Sequence, residues 1–224
     1  MNNVSLLYDD LRAEIEVTGL DVRGGFNAED GELPEAVGGG PGRALLMIGN
    51  IGGDFWPAFE AGRRDEPDPL DGWVKRVVDP MAATLGARAC HPNDRPYQPF
   101  QRWAQRIEAV HGSPLGILIH PVYGLWHAYR AALIFAEPID GLPKPDGQPS
   151  PCDTCVDRPC LSSCPVGAFT AAGLAPETCA GHLRGHRLPN CRAYGCSARA
   201  ACPVGGEFRY ANPQLRFHMQ AFLA

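Results

Sequence analysis

Eight cysteines between residues 152 and 202 constrain this chain more than any other feature. They form two groups, and each group ends in the same four residues, Cys-Pro-Val-Gly, at 164–167 and 202–205. The first group consists of Cys152, Cys155, Cys160 and Cys164, and the second of Cys179, Cys191, Cys196 and Cys202. The repeated ending indicates two similar sites that use sulfur as their ligand.

The spacing of these cysteines predicts two [4Fe–4S] clusters. Each cube takes four thiolates, and in two-cluster ferredoxins the cysteine before the proline ligates the other cluster. The proline fixes the backbone and removes a donor where the chain leaves the cluster. This rule assigns Cys152, Cys155, Cys160 and Cys202 to cluster 1. It assigns Cys164, Cys179, Cys191 and Cys196 to cluster 2.

A structural zinc site and a disulfide framework are the alternatives. A Cys-x2-Cys pair with distant cysteines also suits zinc, but the repeated Cys-Pro-Val-Gly does not favour it. The first residues, Met-Asn-Asn-Val-Ser, have neither the basic nor the apolar segment of a signal peptide, which argues against an oxidising compartment. No apolar run of about 18 residues is present. We therefore predict a cytoplasmic protein with reduced thiols.

Charge is distributed unevenly along the chain. Residues 1–150 carry 13 basic and 21 acidic side chains, whereas residues 151–224 carry seven arginines and four acids. A basic surface around the clusters would dock an acidic redox donor, namely a ferredoxin, flavodoxin or flavoprotein. Local compensation for the negative charge of the clusters explains the arginines equally simply. Nucleic acid is disfavoured as a partner, because the chain is acidic overall.

Hydrophobic periodicity predicts a mixed α/β (α+β) chain. Apolar spacing predicts a first helix over 4–17 and further helices over 72–86, 100–110 and 213–224. The apolar run over 43–50 predicts a buried strand, 127–136 suits a buried strand with its polar groups on one side, and 20–26 is expected to be a short strand. Short helices are expected after each Cys-Pro. The proline-rich segment 141–150 predicts a linker between a body over 1–140 and a cluster module over 151–224.

The cysteine stretch resembles that of the epoxyqueuosine reductases and reductive dehalogenases. This resemblance implies a nitroreductase-like body that binds cobalamin, followed by a two-cluster ferredoxin-like module. Cys179, in Pro-Glu-Thr-Cys-Ala-Gly-His-Leu, fits the isolated fifth cysteine of that module. The same resemblance places Asp94 where an acid protonates the substrate. The last three cysteines are spaced more widely here than in those reductases.

A second segment, His120-Pro-Val-Tyr-Gly-Leu-Trp-His-Ala-Tyr-Arg130, is similar to one that borders the corrin in cytosolic B12-processing (CblC-type) proteins. The resemblance implies that His120, Tyr123, Trp126 and Arg130 contact a corrinoid. The residues themselves leave other interpretations open. His120 can close a turn before Pro121, Trp126 can be a core aromatic, and Arg130 can meet a buried acid.

Three further residues allow two interpretations each. Cys90 is expected to be a small buried hydrophobe, with a reactive thiol beside His91 as the alternative. His182 and His186 can donate hydrogen bonds to cluster sulfurs, but we expect solvated loop histidines.

Together these features predict a two-cluster iron–sulfur oxidoreductase. Electrons would pass from a donor protein through both clusters to a cofactor or small substrate in the body, with cobalamin as the cofactor that the resemblance implies. A non-catalytic electron carrier or a corrinoid-trafficking or docking protein is the alternative. A nucleic-acid-processing protein with structural clusters is a third interpretation, which would require salt-sensitive nucleic-acid binding.

Overall fold

The computed structural model describes residues 6–170, 173–185 and 190–223. The helices are, in chain order, α1 (Tyr8–Glu16), α2 (Trp56–Gly62), α3 (Pro69–Thr84), α4 (Phe100–Ile107), α5 (Pro159–Ser162), α6 (Pro176–Arg184), α7 (Cys191–Tyr194), α8 (Ser197–Ala200) and α9 (Asn212–Ala221), with a 3-10 helix at Gly206–Phe208. The strands are β1 (Leu6–Leu7), β2 (Asp21–Asn27), β3 (Ala44–Ile51), β4 (Arg88–Cys90), β5 (His111–Gly112), β6 (Leu118–Ile119), β7 (His127–Phe135), β8 (Ile139–Asp140), β9 (Phe169–Thr170) and β10 (Gly173–Leu174).

Contacts divide the chain into two units. Unit 1 comprises residues 1–50, 54–108 and 128–146, and unit 2 comprises residues 51–53, 109–127 and 147–224. The chain passes from unit 1 to unit 2 for the last time after Asp146, inside the predicted linker. The domain boundaries expected from the sequence stay a prediction, and the units differ from them, because residues 109–127 group with the cysteine stretch.

A four-stranded sheet with the order β2-β3-β7-β4 forms the centre of unit 1. β2 pairs with β3, and β4 with β7, in antiparallel fashion. β3 reads Ala-Leu-Leu-Met-Ile-Gly-Asn-Ile and is buried at every position but the last. A continuous apolar run of this length is typical of a fully buried strand.

One core cluster of unit 1 joins the sheet to α4. The apolar residues of α4 recur at helical spacing and pack with residues of β3 and β7. The members from α4 are Phe100, Trp103 and Ile107, and those from the sheet include Leu45, Met47 and Ile134. α1 also packs against β2, and α3 packs against β4.

An ion pair is buried in unit 1. Arg23 donates from Nε and Nη2 to both carboxylate oxygens of Glu108, at 2.7 and 2.6 Å. The hydroxyl of Tyr129 donates to the same carboxylate at 2.9 Å. The Arg23 side chain is only 1% exposed, so its charge depends on this geometry. No local sequence pattern predicts this network.

Most predicted elements are confirmed, with differences at their ends. The predicted strand over 20–26 is β2, that over 43–50 is β3 and that over 127–136 is β7. The first helix begins only at Tyr8, and residues 4 and 5 of its predicted span lie outside the described residues. The prediction of a short helix after each Cys-Pro is wrong for Cys164-Pro165, whereas the short 3-10 helix Gly206–Phe208 follows Cys202-Pro203. α5 and α8 instead precede Cys164 and Cys202, because each Cys-Pro-Val-Gly turns away through a glycine.

No helix in the described ranges is both long and apolar enough to cross a membrane.

Candidate functional site

The first set of thiols brings together cysteines that are distant in sequence. Burial raises the pKa of Cys152, and the nearby Cys202, Cys160 and Cys155 raise it further. Burial likewise raises the pKa of Cys160, with Cys202 and Cys155 adding to it. These four cysteines also line one small cavity of about 30 Å³. The structure therefore groups Cys202 with the first three cysteines.

The remaining four thiols form a second set. Burial raises the pKa of Cys179, and Cys196, Cys164 and Cys191 raise it further. Cys196 interacts in turn with Cys191 and Cys164. Cys164 and Cys202, the two cysteines before proline, thus lie with the other group's ligands.

Short helices and turns position both sets. α5 packs against α8, and each helix ends two residues before the cysteine of a Cys-Pro-Val-Gly segment. Gly167 and Gly205, the last residues of these segments, have φ angles of 59° and 69°. Left-handed conformations of this kind favour glycine. The repeated sequence is therefore a repeated turn.

The four-thiolate chemistry fits two cubes. All nine cysteines are free thiols. Within the described part of the chain, no three His, Cys, Asp or Glu side chains lie close enough to hold one metal ion. A cube does not require such convergence, since each cysteine binds a different iron atom. If bound, the cubes would supply one-electron transfer, and the cysteines would hold them.

His120 closes a turn in unit 2. Its Nδ1 accepts hydrogen bonds from the main-chain N–H groups of Val122 and Tyr123, at 3.0 and 3.3 Å. Its ring stacks on that of Tyr123, with 4.2 Å between centroids. The residue is 9% exposed. This geometry favours the turn interpretation over contact with a corrinoid.

The turn that follows His120 presses against the second Cys-Pro-Val-Gly segment. A Cβ on Gly124 would lie 2.0 Å from the carbonyl oxygen of Val204. A Cβ on Gly205 would lie 2.3 Å from the carbonyl carbon of Tyr123. The two backbones meet where no side chain fits. The predicted corrin-bordering segment therefore abuts the segment that carries Cys202.

Trp126 belongs to the core of unit 2. It is 1% exposed and packs with Tyr210 and Leu215. The guanidinium of Arg199 lies 4.4 Å from the Trp126 ring centroid and 4.7 Å from that of Tyr210. A ring enclosed to this degree has no face for a ligand, so the structure favours the core interpretation.

Arg130 and Asp94 lie in unit 1. Arg130 donates from Nε to Oδ1 of Asn50 at 3.0 Å and lines a cavity of about 320 Å³ that Lys75 and His91 also line. One partner of Arg130 is thus an amide, and the expected contact with a buried acid or a cofactor group stays a prediction. This cavity places Arg130 beside a space with room for a small ligand.

Asp94 holds a turn. It accepts hydrogen bonds from the main-chain N–H of His91 at 2.8 Å and from Lys75 Nζ at 3.2 Å. Burial raises the pKa of Asp94, but these hydrogen bonds outweigh that effect and leave the pKa lowered. An acid that is ionised near neutral pH has no proton to donate. In this state the arrangement favours a structural role.

The other residues weighed in the sequence analysis are placed as follows. Cys90 is buried, and burial raises the pKa of its thiol; both features suit an inert core residue. His182 is buried within α6, so the expectation of a solvated histidine is wrong for it. His186 lies outside the described residues.

Comparison with known proteins identifies similar folds. No protein-family model matches the chain, and no curated protein matches it in sequence. A crystal structure of epoxyqueuosine reductase with a tRNA-Tyr epoxyqueuosine-modified tRNA stem loop matches with a TM-score of 0.53 and 15% identity, covering 93% of this chain and 68% of that one. Epoxyqueuosine reductase from Bacillus subtilis, with its catalytic loop swung out of the active site, matches with a TM-score of 0.55 and 13% identity over the same shares.

A third similarity is weaker. The B12-trafficking protein CblC from C. elegans has a TM-score of 0.48 at 15% identity, covering 96% of this chain and 95% of that one. A similarity at this level does not establish a shared fold. The comparisons therefore show that this chain has a mixed α and β fold like that of the epoxyqueuosine reductases.

Proposed function

We propose that this protein is an iron–sulfur reductase with two [4Fe–4S] clusters. Cluster 1 is held by Cys152, Cys155, Cys160 and Cys202, and cluster 2 by Cys164, Cys179, Cys191 and Cys196. The observation that carries the proposal is the division of eight thiols into two sets of four, with the cysteine before each proline in the other group's set. Two-cluster ferredoxins follow this pattern, and no zinc or disulfide pattern requires it.

The protein's own residues give the clusters a shared support. Cysteines of both sets pack against one apolar cluster. That cluster consists of Leu115, Ile119, Leu125 and Ala198. A common apolar wall covers one side of both sets and fixes their relative positions, which suits transfer of electrons between the two sites.

The final electron acceptor is a cofactor or small substrate bound in the N-terminal body. The cavity beside Arg130 in unit 1 supports this part of the proposal, since it offers space and a cation. Cobalamin is the cofactor that the experiment tests first. Of the residues expected to contact it, His120 and Trp126 serve a turn and a core, so a corrinoid site has to rest on others. An acidic donor protein in the cytoplasm supplies the electrons.

The test is anaerobic purification after expression with cobalamin and flavin supplied, followed by an optical spectrum and iron and cobalt analysis. About eight irons per chain are expected for two cubes. Bound cobalt or flavin supports the reductase, whereas eight irons with neither supports an electron carrier. Zinc in place of iron would refute the proposal.

Binding of an RNA stem loop is measured as a second experiment, because one structural neighbour was solved with a tRNA stem loop. The expectation that this acidic chain does not bind nucleic acid stays a prediction. Binding of an RNA stem loop that weakens steeply with salt would contradict it.

A further inference from the structure

Two serine hydroxyls lie against the sulfurs of the proposed clusters, one in each set. Oγ of Ser197 lies 3.5 Å from Sγ of Cys191. A thiolate bound to iron carries no proton, so the serine must be the donor. Cys191 is buried, and its sulfur is therefore shielded from competing water.

Ser150 lies beside Cys152 of the first set. Its Oγ accepts a hydrogen bond from the main-chain N–H of Cys152 at 3.3 Å. The side chains of Ser150 and Cys152 also form a hydrogen bond. A thiolate bound to iron carries no proton, so the serine is the donor in this pair as well.

Main-chain groups among the described residues also donate to the cysteine sulfurs. The N–H of Ala168 donates to Sγ of Cys164 at 3.2 Å. The N–H groups of Ala198 and Arg199 face Cys196. A side-chain substitution leaves such donors in place, whereas the two serines can be removed one at a time.

We propose that Ser197 and Ser150 are redox-tuning residues, Ser197 for cluster 2 and Ser150 for cluster 1. This inference rests on the proposed function. Reduction adds one electron to a cluster that is already an anion. A hydroxyl that donates to a ligand sulfur stabilises the added charge, and so it raises the reduction potential. The protein thereby sets the two potentials separately.

The test compares Ser197→Ala and Ser150→Ala in the full-length, anaerobically reconstituted protein. Each cluster is titrated with a reductant and followed by electron paramagnetic resonance. Removing one hydrogen bond to a charged group is expected to change the ratio of reduced to oxidised cluster about tenfold at a fixed potential, which is about 59 mV for one electron. Each variant should lower the potential of one cluster and leave the other unchanged.

Controls separate the hydroxyl from the substitution itself. Ser162→Ala removes a serine of α5 whose Oγ donates to the carbonyl of Pro159 at 3.3 Å, and it should shift neither potential. Ser197→Thr keeps a hydroxyl and should retain most of the wild-type potential. The signals are assigned with Cys179→Ala, which is expected to keep cluster 1 alone.

The result that overturns the inference is clear. If Ser197→Ala and Ser150→Ala keep eight irons and shift neither potential, or if each shifts both potentials equally, the serines do not tune the clusters. Wild-type protein without iron would instead refute the proposed function, so the two failures are distinguishable.

Discussion

The contact between Gly124 and Val204 leads to a quantitative prediction. Gly124→Ala would put a methyl group 2.0 Å from the Val204 carbonyl oxygen, on a backbone with φ at 57°. Gly116→Ala is a matched control in the same unit. Gly116 also has a positive φ, of 77°, but a Cβ there would meet nothing within 4 Å.

The difference between the two variants measures the close approach. In both variants an alanine must adopt a left-handed backbone conformation, which lowers the free energy of unfolding by about 1–2 kcal/mol. Gly124→Ala must in addition separate two packed backbones, which costs about 1–3 kcal/mol, as overpacking of a core does. We therefore expect a loss of about 2–5 kcal/mol for Gly124→Ala. The loss for Gly116→Ala should be about 1–2 kcal/mol, the left-handed strain alone.

The assay is urea unfolding followed by tryptophan fluorescence, together with iron analysis after anaerobic reconstitution. Displacing Val204 also displaces Cys202, two residues earlier, so Gly124→Ala should lose iron while Gly116→Ala should not. Equal unfolding midpoints for the two variants, or full iron in a destabilised Gly124→Ala protein, would show that the turn and the cysteine segment are not coupled.

Three other predictions follow from the structure. Cys202→Ala should halve the iron content, from about eight to about four atoms per chain, while the control Cys90→Ala should keep all of the iron. Loss of all iron from Cys202→Ala would contradict two separate cluster sites. Glu108→Gln leaves Arg23 buried without its counter-charge and should lower the free energy of unfolding by about 3–5 kcal/mol, measured by thermal or urea unfolding; an unchanged midpoint would refute it. The folded pKa of Asp94 lies below its ordinary value of 3.8. The ionised carboxylate therefore contributes to the stability of the fold above pH 3.8, and this contribution is lost as the pH falls through the folded pKa. Asp94→Asn should therefore be slightly less stable than the wild type at pH 7, by less than about 1 kcal/mol because the carboxylate is partly exposed. The stability of the variant should fall less steeply than that of the wild type below about pH 4. Identical acid-unfolding profiles of the two proteins would argue against the Asp94 hydrogen bonds.

The grouping of the cysteines could be anticipated because ligand geometry dictates ligand spacing. A cube needs four thiolates, and the two Cys-Pro-Val-Gly endings mark where the chain crosses between sites. The buried strands could be anticipated for a similar reason, since an apolar run such as that of β3 is stable only when it is buried in a core.

Other features depend on contacts that no local pattern records. Arg23 and Glu108 are 85 residues apart, and the sequence around either residue does not predict the ion pair. The meeting of Gly124 with Val204 is of the same kind. His120 and Trp126 were expected at a corrinoid from a short motif, whereas the local turn and the core of unit 2 account for both. A motif of this length specifies a backbone path more firmly than it specifies a ligand.

The placement of Cys202 beside Cys152, Cys155 and Cys160 also has a consequence for synthesis on the ribosome. Forty-two positions separate Cys160 from Cys202. At about 5–20 residues per second, translation of this interval takes about 2–8 seconds. Throughout that time three thiols have left the peptidyl-transferase centre and their fourth partner has not been made. The nascent protein therefore needs reducing surroundings, or a protective factor, before its first cluster site can close.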